Sequence, residues 1–369
     1  MEFKRLKSID IFRGLCMAWM VLNHIVNWWI NSEFSWLHSI TIMIIDPIGA
    51  SGFLFISGVS IALSYRKRMK RTIESQDYNY RIIRNSYLFR AFFLFIIAII
   101  YNIPMWIVFN DPRMIWIWFV LLTAAVSLFL AWPLLKTLKY VRIIIAILII
   151  ILHLFLVSKL LPFEGESNVF GLIFHILYNG ITQDPILIFF PFFLIGTVFG
   201  DILYDIINTP DNLKLKKTLL YLLTIGSLLI ILGISLNFPK FLNRESLSWI
   251  IYSIGIDIAF LSILLLIERT GTMETKKSYK FIFYYSYYSL TIYLSHNILY
   301  FLFLNQLDLI SIWFFVAGSF ISIGLVFRAI YKKWENKASI KAQIGRLSLR
   351  ISMNIEEIKK KKNETSNLK

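Results

Sequence analysis

The sequence predicts an all-α, polytopic membrane helix bundle of about ten transmembrane helices (10–11), with its N-terminus in the cytoplasm. Three observations carry this. Of 369 residues, 57% are hydrophobic and only 16% are charged, and the mean hydropathy is +0.67. A soluble chain of this length has no core large enough to hide that much apolar surface. The apolar residues also come in runs of membrane-crossing length, and the connections between runs are alternately rich and poor in Lys and Arg.

In chain order, spans are expected at 9–31, 41–65, 88–109, 114–134, 141–161, 186–204, 218–237, 246–267, 281–304 and 309–331. A shorter amphipathic stretch, 168–180, is expected at the outer interface or as a re-entrant segment. The inner loops carry Arg66, Lys67, Arg68, Lys70 and Arg71, then Lys136, Lys139 and Arg142. Lys214, Lys216 and Lys217 follow, then Arg269, Lys276, Lys277 and Lys280. The outer loops carry Arg113, Lys240 and Arg244, offset by Asp111, Glu164, Glu166 and Glu245. This alternation places both termini inside, in a multi-pass protein of the plasma membrane. Trp28, Trp29, Trp36 and Trp249 fall near the outer interface, where amphipathic rings are favoured. Residues 1–331 form the membrane domain. Residues 332–369 form a basic cytoplasmic tail ending in Lys359 to Lys362, too poor in apolar residues for a core and attracted to anionic lipid.

The net charge of +16 follows from the positive-inside pattern, and no nucleic-acid motif accompanies it, so nucleic acid is not an expected partner. The single cysteine, Cys16, excludes an intrachain disulfide and reads as a small buried hydrophobe. Lys4, Arg5 and Lys7 precede the first run as in a signal sequence. That run carries Asp10, Arg13, Asn23 and His24, and no small-residue cleavage site follows it, so it is expected to be retained.

Ionisable groups inside spans are costly, and each is a site hypothesis. The first span holds the densest set: Asp10, Arg13, Asn23, His24 and Asn27. Arg13 and His24 return to nearly the same helix face, roughly 16 Å apart along the axis. One face thus presents a cation towards the cytoplasm and an imidazole towards the outside. Asp46 falls at about the depth of His24, and Pro47 after it marks a helix break. Gly49, Gly52 and Gly58 thin the second span, which suits close helix packing and also leaves room for a ligand. Asp257 in the eighth span and Ser295, His296 and Asn297 in the ninth share the outer layer. His153 and His175 read as structural histidines. The five histidines have no metal-ligand spacing, so no metal is expected. Arg81, Arg84 and Arg90 enter the third span, where they serve as positive-inside flanks or as a phosphate site.

These residues resemble a family. Ser8-Ile-Asp-Ile-Phe-Arg-Gly-Leu, followed by Met20 and His24, resembles the start of transmembrane acyltransferases. That superfamily includes the heparan-α-glucosaminide N-acetyltransferases and bacterial membrane O-acyltransferases. The Arg13-to-His24 spacing is similar to the O-acyltransferase motif of Arg, ten residues, His. Gly52 to Ser64, then Arg66, resembles their second-span signature, and Arg81 and Arg84 the arginines after it. Phe190 to Gly196 with Gly200, and Ser289 to His296, are similar to later family blocks. The resemblance covers the first 95 residues well and the rest thinly. Heparan-type enzymes place a histidine just before a Ser-Trp pair in the first outer loop. Here Glu33 and Phe34 precede Ser35-Trp36, and the nearby histidine is His38.

The resemblance implies transfer of an acetyl or other acyl group from cytoplasmic acetyl-CoA to a glycan or glycolipid at the outer side. His24 or His38 would be the base, and Asp46 or Asp257 would orient it. Arg13, Arg81, Arg84 and Arg90 would hold the coenzyme phosphates. Asp10, Asn23, Asp257, Ser295, His296 and Asn297 would bind substrate. The expected partners are lipid bilayer, acyl-CoA and the glycan or glycolipid, with a homodimer also considered. Two other classes compete. A proton-coupled transporter also needs intramembrane Asp, His and Arg, but no paired repeat or matching pair of broken helices is found. A scaffold would use the same polar groups only to hold helices together.

Overall fold

The computed structural model describes residues 6–74, 79–179, 183–207, 212–244, 246–269 and 280–366. Fourteen α-helices are described: α1 (Lys7–Trp29), α2 (Trp36–Ile45), α3 (Ala50–Glu74), α4 (Tyr80–Phe109), α5 (Val120–Leu134), α6 (Lys139–Leu160) and α7 (Val169–Tyr178) come first. α8 (Ile186–Ile207), α9 (Asn212–Leu236), α10 (Leu247–Arg269), α11 (Lys280–Tyr287), α12 (Ser289–Ser295), α13 (Ser311–Trp334) and α14 (Ile340–Ser366) complete them. Among the described residues, eight segments are long and apolar enough to cross a membrane, and α5 and α7 are shorter apolar helices. The all-helical membrane bundle is therefore observed. Of the charged loop residues named above, Lys276, Lys277 and Glu245 lie outside the described residues.

Four details differ from the sequence expectation. The span at 114–134 is helical only from Val120, because a 3₁₀ turn at Pro112–Trp116 precedes it. The span at 281–304 is broken: α11 ends at Tyr287, α12 at Ser295, and a 3₁₀ segment runs from His296 to Phe301. Trp29 and Trp249 are fully buried inside the protein, and of the four tryptophans Trp36 is the exposed one. The polar tail forms the helix α14, with Ile344, Ser348 and Ser352 buried along one side. Ser348 and Ser352 return their hydroxyls to carbonyls one turn back, which removes the cost of burying them. As Pro47 predicts, the chain breaks between α2 and α3 in a turn at Asp46–Gly49.

The chain divides into two compact units. The first comprises residues 1–57 and 205–340. In it α1 packs against α2, α10, α11, α12 and α13. Its N-terminal end is satisfied by Glu268 of α10, whose carboxylate accepts from the Lys7 and Ser8 amides at 2.9 Å. A carboxylate there meets the orphan donors and the positive end of the helix dipole. The far end of α1 is tied to the segment before α13, where Asn305 and Leu307 donate to Trp28 and Trp29 carbonyls at 2.8 Å. These two ties fix the depth and rotation of α1, and so of every polar side chain on it.

The second unit comprises residues 58–204 and 341–369. α8 is its most buried span, with 83% of the apolar window inside. Gly58 lets α3 meet α8: a Cβ there would overlap the Phe193 carbonyl and lie 3.0 Å from the Thr197 amide. Backbone cannot move aside as a side-chain tip can. Gly58→Val is expected to cost about 1–3 kcal/mol, seen as a lower melting temperature in detergent.

Candidate active site

In the first unit, α1 presents His24 and Trp28 one turn apart, and the 3₁₀ segment after α12 presents His296 and Tyr300. The His24 ring lies 4.9 Å from that of Trp28 and 4.8 Å from that of His296. Trp28 stacks on His296 at 5.7 Å and meets Tyr300 edge-on at 5.6 Å. Two imidazoles thus share one aromatic wall. His296 is buried, and its Nδ1 is 2.5 Å from the Tyr293 carbonyl. A carbonyl only accepts, so Nδ1 carries the hydrogen and Nε2 is left as the basic nitrogen. The structure therefore brings His24 and His296 together, while His38 sits on α2, a helix packed against α1.

The acidic candidates fall in different places. Asp46 pairs with Arg244, 2.9 Å away, a residue that sequence reading assigned only to an outer loop. Asp10 and Arg13 pair with each other at 3.8 Å, and Ser286 of α11 bridges them, donating to Asp10 at 3.1 Å. This places Arg13 and Asp10 in a buried interhelical network. Asp257 is the outlier. It is fully buried, and neither carboxyl oxygen has a hydrogen-bond partner among the described residues. Its Oδ1 would be 3.0 Å from a Cβ at Gly52, beside Phe12 and Cys16. An unsatisfied buried group costs on the order of 1–3 kcal/mol, which structure alone does not require here. Asn23 likewise keeps a buried side-chain oxygen without a partner. Ser295 bonds only to its own helix, to the Ile292 carbonyl at 3.3 Å, and Asn297 is exposed.

The second unit gathers the basic candidates. Asn79 caps α4 by accepting from the Arg81 amide at 3.1 Å, which leaves the Arg81 side chain exposed. Arg84 donates to Asn85 at 3.2 Å. Arg90 lines a small pocket with Arg68, Tyr65, Tyr87 and Ser86, and Gly345 of α14 also lines it. Arg68 was legible only as loop charge. Beside this pocket's tyrosines, Trp132 meets the rings of Tyr65, Tyr80 and Tyr87, and Lys136 lies 4.6 Å above Tyr80.

Sequence reading missed the ion pair of Arg142 with Asp201. Both are buried, and Thr197 accepts from Arg142 at 3.0 Å. The signal was available: Asp201 follows Gly200 inside an apolar run, as Asp257 does in its own. His153 is buried, its Nδ1 3.3 Å from the Tyr178 hydroxyl.

A membrane bundle in which two imidazoles share one aromatic wall is a candidate transferase site. The model of an acyltransferase domain matches residues 6–331, so the chain belongs to the acyltransferase-3 family of membrane acyltransferases. No curated protein matches the chain. Family membership favours the enzyme over the transporter and the scaffold. It covers the whole span from α1 to the C-terminal part of α13, well beyond the first 95 residues where the resemblance was clear.

Proposed function

We propose that the protein moves an acetyl or related acyl group from acyl-CoA, supplied from the cytoplasm, to a hydroxyl or amine of a glycan or glycolipid at the outer face. The observation that carries this is the His24–Trp28–His296 cluster at one end of α1. His24 removes the proton from the acceptor as the acceptor atom attacks the thioester carbonyl. The carbon–sulfur bond breaks, and the proton passes from His24 to the departing thiolate. An imidazole suits both transfers because its ordinary pKa lies near neutrality. His296 supports His24 across the shared ring contact, and His38 is the alternative base. Asp257, expected at the depth of His24, instead lies beside Phe12 and Cys16, about two turns or more along α1 from His24, and takes no part in this step.

Arg68 and Arg90, with Arg81 and Arg84 near the start of α4, supply guanidinium groups for the donor's phosphates, which they bind in bidentate fashion. The pocket lining offers two arginines together with hydroxyls of Ser64, Tyr65 and Ser86, and its volume of about 30 Å³ is that of one water, so a phosphate would meet these groups only once the side chains part. Arg68→Ala with Arg90→Ala is expected to raise KM for acetyl-CoA about 10- to 100-fold and to leave kcat within a few-fold. Thioester loss from acetyl-CoA by purified protein, measured with amino-sugar and neutral glycolipid acceptors, tests the function itself. Flux of solute into liposomes without acyl chemistry would overturn it.

A further inference from the structure

The second unit carries a cleft to which the acyl-transfer step described above assigns no residue. It measures about 690 Å³ and lies between the 3₁₀ turn at Pro112–Trp116 and the segment leading into α7. Asp111, Arg113, Glu164, Glu166, His175 and Asn179 line it. The size falls in the range of small-molecule sites. Asp111, Arg113, Glu164 and Glu166 sit in connections that the charge pattern assigns to the outer face, and His175 and Asn179 belong to the 168–180 stretch expected at the outer interface or as a re-entrant segment.

The cleft is built from locally fixed groups. Arg113 donates to Asp111 through its amide and its guanidinium at 2.8–3.0 Å, and those bonds hold the Asp111 carboxyl below the usual range. Asn179 is buried and donates to the Arg113 carbonyl at 2.9 Å. Asn168 caps α7 by accepting from the Gly171 amide at 2.9 Å. Trp116 and Trp118 both donate to the Ile176 carbonyl at 3.0 Å, pinning the far end of α7. Burial, then Arg113, push the His175 imidazole below its ordinary value, with Asp111 opposing, so at neutral pH it is an uncharged donor and acceptor. Against this frame, Glu164 and Glu166 are exposed and make no side-chain hydrogen bond among the described residues. With Asp111 and Arg113 cancelling, they leave the cleft with a charge of about −2. The other side of α7 is apolar and exposed at Phe170, Ile173 and Ile176, as expected for a helix lying in the interface.

We propose that this cleft binds an amphiphile: a saccharide head group bearing an amine, seated against Glu164 and Glu166, with its lipid tail along the apolar side of α7. The mixed amides, carboxylates and neutral imidazole suit sugar hydroxyls, which both donate and accept. The negative balance selects an amino sugar over an acidic one. This deepens the proposed function and rests on its glycolipid acceptor.

Binding separates the two ideas. Full-length protein in nanodiscs would be titrated with octyl β-glucosaminide, octyl β-glucoside and octyl β-glucuronide by calorimetry. The wild type is expected to bind the glucosaminide most tightly and the glucuronide least. Glu164→Gln with Glu166→Gln should weaken the glucosaminide at least about tenfold and leave the neutral glucoside within about twofold. His24→Ala should bind all three as the wild type does. Equal affinity of wild type and the double variant for the glucosaminide, equal affinity for the glucuronide, or no binding of any glycoside overturns the cleft. If binding follows the expected order but no thioester is consumed with any acceptor, the acyl-transfer reading fails and the cleft stands.

Discussion

His24→Ala is expected to lower acyl transfer from acyl-CoA by about 10²- to 10⁴-fold in kcat, the contribution general acid–base catalysis makes. The change removes the imidazole but leaves Trp28, His296 and Tyr300 to hold the wall. α1 stays anchored by Glu268 at one end and by residues 305–307 at the other, so thermal unfolding should move little. The effect should lie in kcat, with KM for the donor within a few-fold, because the proton moves in the transition state and not on binding. His296→Gln separates base from support. Glutamine keeps hydrogen-bonding capacity but not basicity, so if His296 only positions His24, activity should fall about tenfold or less and the pH profile should shift without losing its basic limb. If His296→Gln instead matches His24→Ala, the two imidazoles exchange roles and His296 is the base. Unchanged turnover in His24→Ala, with loss in His38→Ala, would move the chemistry to α2.

Much of the bundle was legible because spans are a property of single runs. Length and hydropathy locate them without knowledge of their neighbours. The exceptions are local: Pro112 delays α5, and α11 gives way to α12 at Tyr288, where the Tyr287 carbonyl accepts from the Ser339 hydroxyl at 3.3 Å and neighbouring hydroxyls bond to the segment after α13. Thr291 accepts from the Ile340 amide at 3.3 Å, and Tyr288 donates to the Glu335 carbonyl at 2.8 Å. The site was legible by residue type and only partly by partnership. His24 and His296 are 272 positions apart, and depth counting put them in one layer, where they meet. The same counting put Asp46 in that layer without showing that Arg244 takes it. Depth is one coordinate, and rotation about each helix axis comes only from packing. The tail was misread because its buried face uses serines, which composition scores as solvent-facing.

The largest stability effect should come from Arg142. Its side chain is 1% exposed, on the first turn of α6, and it is neutralised by Asp201 and bonded to Thr197 at 3.0 Å. Arg66 also reaches Asp201 at 3.8 Å, with its guanidinium 5.2 Å from the Tyr204 ring centre. One carboxylate therefore serves two cations, and the network joins α3, α6 and α8 of the second unit. Such a pair gains little over a well-packed apolar substitute, but breaking it strands a charge. Asp201→Asn is expected to cost about 3–5 kcal/mol, because the buried Arg142 guanidinium then loses its counter-charge. Arg142→Ala should cost nearly as much, since it removes the packing stem and leaves Asp201 to the more distant Arg66. Arg142→Met combined with Asp201→Leu removes both charges at similar volume and should recover most of the loss. Melting temperatures in detergent, followed by size-exclusion profiles, would show the two single variants well below the double. Equal destabilisation of all three would mean that shape, and not charge, is what the network supplies. A double variant that is stable yet slow in acyl transfer would show that the buried pair sets the geometry of the inner arginines as well as holding the helices.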